Sequence, residues 1–143
     1  MNGFVLDVSV TMAWCFLDEA SSATWAILDR LQDEGAVVPA LWPFEVANVL
    51  LIAERRKRTT AAQAGAFIEQ LLRLPLRIEE QTMPRILHET YGLGRSAALT
   101  AYDASYLELA IRTRLPLATT DRALTAAAKE AGVAVLPDAS GAL

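Results

Sequence analysis

A chain of 143 residues with a formal net charge of −4, 53% apolar residues and a mean hydropathy of +0.27 has room for one domain, expected to span 1–143, and holds more apolar surface than such a domain needs, which points to a covered partner surface. One cysteine, Cys15, and one histidine, His88, exclude an internal disulfide, a thiolate metal cage and any scheme that needs two histidines. No uncharged run approaches the roughly 20 residues that span a bilayer, and Met1-Asn2-Gly3 lacks the basic start of a signal peptide, so a cytoplasmic protein is expected.

Phe4-Val5-Leu6 reads as a strand closed by Asp7, and Ser9 is placed to cap a helix from Val10 to about Phe16. A second helix is expected from Ser22 to Glu34, with Trp25, Leu28 and Leu31 on its apolar stripe and Gly35 as its stop. Ala36 to Val38 reads as a strand. Pro43 suits the first turn of a helix whose stripe is Val46, Val49, Leu50 and Ala53, ending near Arg56. Thr60 starts a fourth helix, Ala61 to Leu72, and Pro75 precedes a strand at Leu76 to Ile78. A helix over Met83 to Tyr91, with His88 on its surface, leads into Gly92 to Ala98, the stretch most like a loop. The next helix, Tyr102 to Arg114, is expected to bury Ala104, Leu107, Ala110 and Ile111. Leu115 to Thr119 as strand, Asp121 to Ala131 as helix and Val133 to Leu136 as strand complete the series, with a loose tail after Pro137. Strands separated by helices of this length cannot form hairpins. The expected architecture is α/β, a central parallel sheet of about four to five strands covered by helices on both faces.

Four acids fall at the ends of these elements. Asp7 ends the first strand and Asp121 follows the Leu115 to Thr119 strand, while Glu45 and Asp103 lie in first helical turns, so all four face the carboxyl edge of the sheet, where open parallel sheets bind ligands. Acids also favour such positions for purely structural reasons, because the amino end of a helix carries partial positive charge. Their neighbours raise the odds of function: Asn48 stands one turn beyond Glu45, Ser9 two residues after Asp7, and Thr119 two before Asp121, each able to hydrogen-bond a carboxylate or metal-bound water. Clustered carboxylates repel unless a cation compensates, and an all-oxygen set selects hard ions, Mg²⁺ or Mn²⁺. Such ions suit phosphodiester hydrolysis. The negative total charge then leaves attraction of a polyanion to local cations. Arg55, Arg56, Lys57 and Arg58 are candidates for RNA contact, although a solvated helix end accounts for them as well.

Four stretches carry a resemblance that spans nearly the whole chain: Val5-Leu6-Asp7-Val8-Ser9, Trp42-Pro43-Phe44-Glu45-Val46-Ala47-Asn48-Val49-Leu50, Leu99-Thr100-Ala101-Tyr102-Asp103-Ala104, and Leu117-Ala118-Thr119-Thr120-Asp121-Arg122-Ala123-Leu124. In order and spacing they resemble a PIN-domain ribonuclease, and more closely a VapC-type toxin of a toxin–antitoxin pair. The resemblance implies a Mg²⁺- or Mn²⁺-dependent endoribonuclease, a homodimer, and inhibition by a cognate antitoxin whose tail enters the active-site groove. It makes Asp7, Glu45, Asp103 and Asp121 catalytic metal ligands, with Ser9, Asn48 and Thr119 in support, Asp121 acting directly or through water. Two other readings stay open: a partner-binding module whose acids only end helices, and an aspartyl-phosphate phosphohydrolase with Asp7 as nucleophile. Ser9 stands where enzymes of the second kind usually carry another acid.

Overall fold

The computed structural model describes residues 2–138, so the stretch 139–143 of the expected tail lies outside the described residues. Five strands, β1 (Phe4–Leu6), β2 (Ala36–Pro39), β3 (Leu76–Glu79), β4 (Leu117–Ala118) and β5 (Val135–Leu136), form one sheet in the order β3-β2-β1-β4-β5. Every pairing is parallel, with Val5 opposite both Val37 and Leu117. Strands covered on both faces need apolar residues at successive positions rather than alternate ones. Phe4, Val5 and Leu6 are accordingly all fully buried, as are Leu117 and Ala118. Before β1, Gly3 has φ +102°, and a Cβ there would stand 2.7 Å from the Gly35 carbonyl oxygen, so only glycine lets the entries to β1 and β2 approach this closely.

Between the strands run α1 (Val8–Cys15), α2 (Ser22–Glu34), α3 (Trp42–Arg55), α4 (Ala61–Leu71), α5 (Met83–Arg85), a π turn (Ile86–Thr90), α6 (Tyr91–Ala97), α7 (Ala101–Thr113) and α8 (Arg122–Glu130). From β1 the chain winds one way to β2 and β3 and then the other way to β4 and β5, and right-handed crossovers put the helices of the two halves on opposite faces. The strand order therefore reverses at β1 and β4, beside which α7 packs against β1 and β2.

Several local expectations are corrected. Asp7, not Ser9, is the N-cap residue of α1, so the helix begins at Val8. Gly92 to Ala98 is not a loop: α6 continues the helix through the π turn and stops at Ala98 in the left-handed region, φ 55°. A Cβ on Gly94 would meet the Leu99 carbonyl oxygen at 3.1 Å, so this glycine serves close packing rather than chain flexibility. The buried stripe of α2 is Thr24, Ile27 and Leu31, while Trp25 is exposed, and Trp14 donates from Nε1 to the Thr24 carbonyl at 2.7 Å. Ile111 also points outward on α7. On α4, Phe67 and Leu71 are core residues and Ile68 is exposed. Cys15 is half-buried against the core and His88 is exposed. Among the described residues no helix is long and apolar enough to cross a membrane.

Candidate active site

At the carboxyl end of β1, the backbone N–H of Asp7 still donates to the Ala118 carbonyl at 3.0 Å, so the sheet itself fixes this residue beside β4. Its side chain makes no cap bond to α1. Oδ2 instead accepts from Ser9 Oγ at 2.6 Å and from Thr119 Oγ1 at 2.8 Å. Each hydroxyl has one proton, and both protons go to Asp7. Their oxygens are left to accept, Ser9 from the Thr120 N–H at 3.0 Å and Thr119 from the Asp121 N–H at 3.1 Å. Ser9 and Thr119 thus support Asp7 as the sequence suggests, and they also tie the loop after β4 to the start of α1.

The other acids arrive from three helices. Glu45 stands in the first turn of α3, opened by Trp42 and Pro43, and its Oε1 accepts from Tyr106 Oη at 2.6 Å. Asp103 lies in the first turn of α7, its N–H capped by Thr100 Oγ1 at 3.1 Å, which leaves the carboxylate uncommitted to the helix end. Asp121 is the N-cap of α8, one oxygen accepting from the Leu124 N–H at 2.8 Å. Asp121 therefore caps a helix, and its charge reaches Asp103.

Electrostatics binds the set together. Burial is the largest influence on Asp7 and raises its pKa above the ordinary value, outweighing the Ser9 and Thr119 hydroxyls and the amides of Ser9 and Val8, which pull it down. Burial likewise raises Glu45, helped by repulsion from Asp7 and Asp103 against the lowering hydrogen bond of Tyr106. Asp103 is raised by burial and then by the charges of Asp7 and Asp121. The Tyr106 hydroxyl is pushed far up by burial, by its bond to Glu45 and by the neighbouring acids, so it remains a donor at all working pH. Among the described residues none of the four acids forms an ion pair with Lys or Arg. A set of carboxylates that repel one another and lack a protein cation fits a hard divalent ion in its donor chemistry. No group of three or more His, Cys, Asp or Glu side chains among the described residues forms a ready-made cage.

Two sequence candidates are not brought into this network. Asn48 is exposed one turn beyond Glu45, at the wall of a neighbouring cavity, and makes no hydrogen bond to it. The basic run lies at the far end of α3, about 15 Å along the helix axis from Glu45. Within it, Arg58 is held by Asp18 and Glu19, both at 2.8 Å, and stacks over the Phe16 ring at 3.8 Å. Sequence reasoning missed Tyr106, Thr11 and the role of the Trp42 ring. Trp42 Nε1 donates to Thr11 Oγ1 at 3.1 Å, and that hydroxyl donates to the Asp7 carbonyl at 3.3 Å, joining the amino ends of α3 and α1. The available signal for Tyr106 was its place one helical turn after Asp103, on the same face.

The PIN domain model matches residues 4–130. The chain belongs to the PIN domain family. PIN domains are generally nucleases, and those nucleases generally use divalent metals. Among solved structures, the crystal structure of PAE2754 from Pyrobaculum aerophilum is similar at 25% identity with a TM-score of 0.71, over 93% of this PIN domain chain and 90% of that one. None of the curated proteins matches the sequence.

Proposed function

We propose that this PIN domain is a Mg²⁺- or Mn²⁺-dependent endoribonuclease, a single domain over 1–143, acting in the cytoplasm as the toxin of a type II toxin–antitoxin pair. The observation that carries the reading is the set of four carboxylates, Asp7, Glu45, Asp103 and Asp121, at the point where strand order reverses, repelling one another and without a Lys or Arg partner among the described residues. When bound, the divalent ion supplies activation of water and stabilisation of the departing oxygen in phosphodiester hydrolysis. Asp7 and Asp103 are the residues to hold it, with Glu45 beside them. Ser9 and Thr119 fix the rotamer of Asp7 by their two hydrogen bonds, and Tyr106 fixes Glu45 through Oε1, so the carboxylates do not have to be ordered at each turnover. Asp121, exposed and already capping α8, acts through its charge or through water.

The test is cleavage of a labelled single-stranded oligoribonucleotide and its deoxy counterpart with Mg²⁺, with Mn²⁺ and with chelator. Cutting of the RNA that stops in chelator is the expected result. Full activity in excess chelator would falsify the metal mechanism, and equal cutting of both strands would remove the ribonuclease assignment. The apolar surplus lies in part on Met83, Leu87 and Tyr91, exposed by 72%, 62% and 59%, and this surface suits a homodimer. A monomer mass by light scattering at micromolar concentration would count against the dimer, and failure to retain a small protein from its own operon would count against the antitoxin.

A further inference from the structure

Phe44 and Tyr102 immediately precede Glu45 and Asp103, and they are exposed by 80% and 64%. Each stands in the first turn of the helix that carries the neighbouring acid. With Leu41, Glu45, Asn48 and Leu51 they line one open cavity of about 560 Å³. This volume lies in the range of roughly 300–1,000 Å³ typical of small-ligand sites. Glu45 belongs to both the cavity and the acid cluster, so the cavity opens directly onto the cleft. No Lys or Arg lines it, which makes it unsuited to a phosphate, and its apolar and aromatic walls with one amide suit a neutral planar ring.

We propose that Phe44 and Tyr102 form a stacking platform for an unpaired nucleobase adjoining the scissile phosphate, with the Asn48 amide at the edge of that base. The proposal rests on the nuclease reading and names the part of the substrate that this surface takes. The chain of a nucleic acid held at the acids must pass its neighbouring base over one side of the cleft, and this is the side with exposed rings. Both faces of a base inside a duplex are already stacked, so its capture requires unpairing at a cost of a few kcal/mol, and the platform favours single strands. Stacking tolerates every base because each has a π face, while an amide, with donors and an acceptor, adds a modest preference among them.

The test separates this platform from the chemistry. In an Asp7→Asn background, which leaves the strand uncut, a single-stranded oligoribonucleotide carrying 2-aminopurine is titrated in Mn²⁺, and its fluorescence falls as the base stacks. Phe44→Ala and Tyr102→Ala are each expected to weaken binding roughly fivefold to a hundredfold and to reduce the quench, whereas Tyr102→Phe keeps both. With Asp7 restored, the same Ala variants raise KM and leave kcat little changed, since both rings bind substrate and transition state alike. An oligoribonucleotide with an abasic position at the platform loses the same factor on the wild type and is insensitive to the Ala substitutions. RNA cleavage with unchanged KM in both Ala variants, or equal affinity for the abasic strand, overturns the platform and leaves the nuclease standing. A wild type that neither cuts nor binds any RNA removes both.

Discussion

Helix α7 carries two acids five residues apart, Asp103 and Glu108, in opposite surroundings. Glu108 is almost fully buried, yet it receives Gln81 at 2.6 Å, Arg112 at 2.8 Å and Arg85 at 3.1 Å. Burial alone would raise its pKa, but the hydrogen bond and charge of Arg112, with Gln81 and Arg85, hold it below the ordinary value. Asp103, more open to water, has no Lys or Arg partner among the described residues and is raised by burial and by Asp7 and Asp121. One helix thus presents a saturated carboxylate and an unsaturated one. The saturated acid fastens α7 to the segment around Gln81 and Arg85, and its charge is already compensated by two guanidinium groups. The unsaturated acid belongs to a cluster whose repulsion is unfavourable for folding and is relieved only by protons or by a metal ion.

Breaking the comparison at the cluster gives the largest effect. Asp7→Asn or Asp103→Asn should lower metal-dependent cleavage by about a hundredfold or more, since an amide keeps the shape and loses the charge that holds the ion. Glu108→Gln should leave the chemistry in place and cost stability instead, about 1–3 kcal/mol, because it turns one of two buried acceptor oxygens into a donor facing other donors and removes the charge that pairs with Arg85 and Arg112. Initial rates and thermal melts on the three variants would test the contrast. A Glu108→Gln protein with lost cleavage and wild-type stability would reverse the roles assigned to the two acids.

Much of this contrast was legible in the chain, and unevenly so. The strands announced themselves because both their faces are covered: Phe4-Val5-Leu6 has no polar position, and Asp7 at its end has no place in such a core. The four acids were legible for the same reason, as charges at the boundaries of apolar segments. Tyr106 was not, because an aromatic at helical spacing beside Leu107 and Ala110 reads as core, and only the fold brings its hydroxyl to Glu45, 61 residues away. Glu108 was hidden too, since its partners Gln81 and Arg85 lie in another element. The helix across Gly92 and Gly94 reads as a loop because glycine's weak helix propensity is visible in sequence, whereas the close approach of the Leu99 carbonyl to Gly94 is not. Ser9 is legible both as a cap and as a support for Asp7, and its hydroxyl takes the second part while Asp7 itself stands at the N-cap.

The smallest expected effect is also the sharpest test of the comparison, because the two acids must respond to pH with opposite sign. In chelator, folded Asp103 holds its proton more tightly than the unfolded chain does, so between the ordinary value of 3.8 and its raised folded value the native state binds more protons. Stability then falls as pH rises through that window. Folded Glu108 releases its proton more readily than the unfolded chain, so below the ordinary value of 4.5 the unfolded state binds more protons, and stability rises with pH through that lower window. Removing either group removes its slope. The melting temperature of Asp103→Asn relative to wild type should therefore climb as pH rises above about 4. That of Glu108→Gln should decline as pH rises towards about 4.5 and then level off. Adding Mn²⁺ should flatten the Asp103 difference near neutral pH, where the ion replaces protons as the compensating charge, and leave the Glu108 difference unchanged. Parallel difference curves for the two variants would show that Asp103 is one more helix-end acid, and would remove the electrostatic ground on which the cluster is read as a metal site.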